Sequence, residues 1–199
     1  MPLPLKDYVR QVLLENGRAG KIHNAVRAAW SKAISTYPER AGWQRKSTFR
    51  GIVWEAAVRE LEAASLGDAG FRTVFHRDTA SFILDDAVLF RFKHADVSLA
   101  TANYPTPEAS AFDDHEADLY GFRGLQRVEL CYVLDEFEMS IVWIGIAARQ
   151  QGEHLWSIEL NNAGVVTPEA ALPFEEEVDV AKLARLKAQP DHDEKKKKE

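Results

Sequence analysis

Cysteine is almost absent from this 199-residue chain, with Cys131 alone. No internal disulfide can form and no paired-cysteine zinc site can be assembled. Because Cys131 stands inside the apolar run 128–134, the pattern predicts a buried, inert thiol. A chain without disulfides fits a reducing cytoplasm. Long apolar runs are lacking too. No stretch approaches the ~20 apolar residues a bilayer span needs, and the start MPLPLKDYVR lacks the basic-then-apolar order of a signal peptide. A soluble cytoplasmic protein with no membrane partner is expected. The chain also shows no internal repeat, no glycine-rich phosphate loop and no nucleophile elbow. Any function therefore has to be sought in residues outside the standard motifs.

With 46% hydrophobic residues, the chain can bury a full-sized core. Its net charge of −6 is unevenly spread. Residues 1–60 carry eleven Lys and Arg against five Asp and Glu, or +6, which leaves −12 for the remainder. A basic first part suits nucleic acid or an acidic protein partner. Equally, the two halves can simply attract each other.

Helical spacing of Leu5, Tyr8, Val9, Val12 and Leu13 predicts a first helix that Gly17 ends. A second stripe, Ile22, Val26, Ala29, Trp30, Ala33, Ile34 and Tyr37, is stopped by Pro38. Ser47 is placed to cap a third helix with Phe49, Ile52, Val53, Ala57 and Leu61 on its apolar side. Residues 71–78 alternate as a strand, and TASFILDDAVLFRFKHAD follows as a β-hairpin turning at Asp85-Asp86. Asn103-Tyr104-Pro105 reads as loop, and Thr106 with Pro107 as the start of a short helix. Three more strands, 126–135, 138–150 and 154–160, form a meander. The class expected is α+β: N-terminal helices packed on a mostly antiparallel sheet of about six strands. The expected divisions are a helical segment at 1–46, a core at 47–162, and a low-complexity, disordered tail at 163–199 that ends in Lys195–Lys198.

Three places carry candidate chemistry. In the hairpin's second strand, Arg91 and Lys93 project from one face beside His94, a pair suited to an anion such as phosphate or to a solvated rim. Trp43 lies between Arg40 and Arg45-Lys46, which suits base stacking beside phosphate contacts or a wedge between helices. Asp113, Asp114, His115, Glu116 and Asp118 have metal-binding atoms. They lack a second His at helical spacing or a calcium-type loop, so the pattern predicts no metal site and a solvated acidic loop.

The order helix, three strands, short helix, strand resembles the core of the PD-(D/E)XK nucleases. Carried over residue by residue, the resemblance implies Asp78 as first acid, Lys93 as the lysine and Glu55 as the helix carboxylate, with magnesium as the only cofactor. Its second acid falls on Arg91, a cation that would repel the metal. The implied protein then binds nucleic acid with an inactive or altered site. A second resemblance spans about 47–160 and rests on VFHRDT, VLFRFKHAD, NYPT, RVELCYVLDEFEMSIVWIGIAAR and LWSIEL. Together these look like a group of bacterial proteins encoded beside regulators that join a helix-turn-helix to a zinc-peptidase domain. That resemblance implies an interaction protein, the toxin-like component of a toxin–antitoxin or phage-defence module, partnered by the regulator.

Overall fold

The apolar stripes become three helices. Helix α1 (Lys6–Leu14) buries Val9, Val12 and Leu13. Asn16 and Gly17 then take left-handed backbone angles, φ 52° and 65°, which these two residue types tolerate best. The chain turns there, and α2 (Arg18–Thr36) buries Ile22, Val26, Ala29, Trp30 and Ala33. Helix α3 (Lys46–Ser65) buries Phe49, Val53, Ala57, Val58 and Leu61. Ser47 does not cap it. The residue with extended geometry before the helix is Arg45, φ −115° and ψ 102°, and no side chain caps that end.

This computed structural model describes residues 4–76, 79–101, 106–115, 119, 121, 124–150 and 152–166. Asp78, Asn103-Tyr104-Pro105 and most of the expected C-terminal tail lie outside the described residues. The strands are β1 (Phe71–His76), β2 (Thr79–Leu84), β3 (Val88–Ala95), β4 (Gln126–Leu134), β5 (Ile141–Gln150), β6 (Glu153–Asn161) and β7 (Gly164–Val165). They make one seven-stranded sheet in sequential order. The strand beyond the expected six is β7, two residues paired with Leu160 and Asn161, too short to show a period.

All neighbours pair antiparallel except β3 and β4. These two run parallel, from Val88 opposite Gln126 to Ala95 opposite Val133. A parallel pair needs a crossover, here residues 96–125. It contains α4 (Pro107–Asp113), which Thr106 caps by accepting the Ala109 N–H at 3.1 Å, with Pro107 in the first turn. The hairpin between β2 and β3 turns where Asp85 and Asp86 both adopt φ 49°.

The sheet therefore has two covered faces. Helices α1 to α3 share one core with Phe82, Phe90, Phe92, Leu130, Tyr132, Ile144 and Ile146. On the other face the crossover's Phe112, Leu119 and Leu125 pack on Ile83 and Leu89. Cys131 is fully buried there beside Ala95, Val133 and Ala147. Helix α2 comes so close to the β6–β7 turn that a Cβ at Gly20 would stand 2.8 Å from the Asn162 carbonyl oxygen.

One ion cluster fastens helices to hairpin. Arg18, only 1% exposed, donates to both oxygens of Asp68 at 2.8 and 2.9 Å and to Asp85 Oδ1 at 2.7 Å. Hydrogen bonding by Arg18 holds the Asp68 carboxyl down at about 2 and lowers Asp85 as well. Lys46 and Arg50 likewise reach Glu138. Attraction between the basic and acidic halves is thus built into the packing.

Candidate functional site

The sheet is split between β2 and β3. Strand β2 stays in register with β1 from Phe71 opposite Leu84 to His76 opposite Thr79, and β3 with β4 along its whole length. The β2–β3 register runs only from Leu84 opposite Val88 to Phe82 opposite Phe90. Stacked rings of Phe82 and Phe90, 5.1 Å apart, close the zipped end. Farther along, Phe92 stacks on Tyr132 of β4 at 5.1 Å and 12°, so β3 follows β4 while β2 follows β1.

The gap is a cleft of about 270 Å³. Thr79 and Ala80 line it from β2, and Arg91, Phe92, Lys93 and His94 from β3; Tyr132, Arg50, Gly51 and Trp54 complete the wall. None of these described residues is acidic.

Strand alternation sends the β3 side chains to opposite faces. On the helix side, Arg50 and Trp54 stand one turn apart on α3, as i,i+4 neighbours do. Arg50 Nη2 donates to Glu138 at 2.8 Å. Burial works to raise the Glu138 carboxyl, but hydrogen bonds from Lys46 and Arg50 prevail and hold it below its usual range. The His94 ring meets Tyr132 edge-on at 5.2 Å. Burial, then the Arg50 charge, lowers its pKa and favours neutral imidazole. Tyr132 is 1% exposed, its pKa raised by burial. Among the described residues, neither the Tyr132 hydroxyl nor Arg50 Nε has a hydrogen-bond partner.

On the crossover side, Arg91 lies over the Phe112 ring at 4.6 Å and donates to Ser81 Oγ at 3.4 Å. Its register partner on β4 is Glu129, 2% exposed, which accepts from Arg149 Nε at 2.7 Å and Thr101 Oγ1 at 2.9 Å. Burial lowers the Lys93 pKa, with Glu129 opposing that shift. Burial, then Glu129, raises Asp113.

Of the expected solvated acidic loop, Asp114 is exposed, Glu116 and Asp118 lie outside the described residues, and His115 is the correction. It is buried, with Nδ1 accepting the Arg127 N–H at 3.3 Å and Nε2 at 3.3 Å from the Arg149 carbonyl. The neutral ring with its proton on Nε2 satisfies both bonds. It staples the crossover to β4 and β5, because a buried polar ring has to be paired. Among the described residues, no group of three or more His, Cys, Asp or Glu is placed to hold a metal ion. Magnesium, implied only by the nuclease resemblance, therefore gets no ligand set from them.

Of the residues singled out from sequence, the cleft assembles Arg91, Lys93 and His94. Glu55 is exposed on α3 and does not line it, and Asp78 lies outside the described residues. Trp43 is a half-buried wedge, 5.6 Å from the Tyr37 ring and 6.2 Å from Phe49. Arg45 is exposed just before α3, and Lys46 is 3.3 Å from Glu138. Sequence patterning misses Arg50, Trp54 and Tyr132. The first two share a helix side that looks like ordinary surface, and Tyr132 hides inside an apolar run.

Compared with known proteins, the chain matches no family model, no curated protein and no solved structure. No helix among the described residues is long and apolar enough to cross a membrane.

Proposed function

We propose that this chain binds single-stranded nucleic acid in the cleft between β2 and β3, without hydrolysing it. One observation carries the reading: Arg50, Arg91 and Lys93 line a single cleft beside Trp54, with no acid among its described lining residues. Cations recognise the phosphates, and the half-buried Trp54 indole offers a ring on which a base stacks. Such a concentration of positive charge is notable in a chain of net charge −6. Arg91 occupies the place that a hydrolytic metal site of the resembling nucleases would give to an acid, which favours binding over cleavage.

Fluorescence anisotropy of a labelled oligonucleotide tests the proposal. Affinity should fall steeply as salt rises, and Arg50→Ala or Arg91→Ala should weaken it about tenfold. Absence of binding at low salt would refute it.

A second reading has its own support. Phe137, Met139 and Val142 are 78%, 53% and 56% exposed around the β4–β5 turn, and exposed apolar side chains suit a protein partner. This is the role that the second resemblance implies, a toxin-like interaction protein covered by its helix-turn-helix and zinc-peptidase regulator. Co-purification with that regulator, lost in Phe137→Asp, would support it. A chain indifferent to the regulator would overturn it.

A further inference from the structure

We infer that the cleft holds the terminal phosphate of a nucleic-acid strand, with Tyr132 as the residue that recognises the end. The inference rests on the nucleic-acid reading above and adds which part of the strand the cleft takes.

Tyr132 is fixed before any ligand arrives. Its ring is stacked on Phe92, met edge-on by His94 and flanked by Trp30 at 6.3 Å. A hydroxyl so deeply buried ordinarily has a partner, since an unmet one costs free energy. This one has none among the described residues, and it belongs to a residue in the cleft wall. Arg50, also in that wall, has an unpartnered Nε. Arg50 Nε can only donate and the Tyr132 hydroxyl can donate as well, so one ligand that brings acceptor oxygens satisfies both.

Size narrows the choice. A volume of about 270 Å³ is at or below the small end of ligand pockets. It accommodates a phosphate group with part of a nucleotide, whereas a continuous strand needs a groove open at both ends. An internal phosphodiester carries one charge and two free oxygens. A terminal phosphate carries a third oxygen and up to one more charge, which matches the surplus of donors.

The test compares three oligonucleotides of one sequence: 5′-phosphorylated, 3′-phosphorylated and hydroxyl-ended, on the full chain and on Tyr132→Phe. The substitution removes one oxygen and keeps the stacked ring, so the variant should fold, as its thermal melt will report. One phosphorylated end should bind about tenfold tighter than the hydroxyl end, the effect of one hydrogen bond to a charged group. Tyr132→Phe should bring that ratio close to one. Salt-dependent binding with equal affinity for all three would overturn the inference and leave the nucleic-acid reading standing. A preference that survives in Tyr132→Phe would remove Tyr132 as the recognising residue. Failure of all three oligonucleotides to bind would overturn the reading and the inference together.

Discussion

Replacing Arg18 by Met should unfasten the helices from the hairpin. The guanidinium is 1% exposed and makes hydrogen bonds to Asp68 and Asp85, which lie in the segment before β1 and in the β2–β3 turn. Met fills much of the volume but pairs with neither carboxylate. Asp68, its side chain 3% exposed, would then be a buried charge without a counterion. Breaking a buried pair in this way costs about 3–5 kcal/mol, a large share of the ~5–15 kcal/mol that stabilises a typical domain. Urea unfolding followed by the fluorescence of the five tryptophans should show the loss as a lower midpoint with an unchanged slope. The pH dependence gives an independent check. A folded carboxyl at about 2, against an ordinary 3.8, stabilises the protein above the unfolded value, by roughly 2 kcal/mol at neutral pH. That contribution disappears as pH falls from about 4 through about 2, and Arg18→Met should largely abolish this part of the acid slope. A destabilisation below about 1 kcal/mol, with the acid slope intact, would refute the assignment.

Gly145→Ala should destabilise by about 1–3 kcal/mol, measurable in the same urea titration, because a Cβ there would overlap the Ile158 carbonyl and the Trp143 ring. Cys131 is fully buried and its thiol pKa is pushed up by burial. It should resist a thiol reagent in the native protein and react fully in denaturant; fast native labelling would contradict the packing of the crossover on β4.

Much of the fold is legible because its signals are local. Ile22, Val26, Ala29 and Trp30 announce α2, Asp85-Asp86 announces the hairpin, and Thr106-Pro107 announces α4. What escapes is set by partners far along the chain. Nothing in VLFRFKHA or QRVELCYVL says that these strands lie parallel, since register comes from the crossover's packing. Arg18 looks like one surface cation among eleven, and only the approach of Asp68 and Asp85 makes it a buried tie. His115 reads as part of an acidic loop until Arg127 and Arg149 supply its partners. The site divides in the same way. Arg91, Lys93 and His94 are adjacent in sequence and visible as a cationic strand end. The α3 wall, Arg50 and Trp54, joins them only through the split between β2 and β3, which depends on Phe92 stacking with Tyr132 rather than on any motif.

The most direct test of the cleft as the binding site is amide hydrogen exchange, with and without a saturating single-stranded oligonucleotide. Slowed exchange should concentrate in residues 79–80 and 91–94 and in α3 around Arg50 to Trp54. Protection confined to α1, or to the lysine-rich residues 195–198, with the strands around the split unchanged, would contradict it.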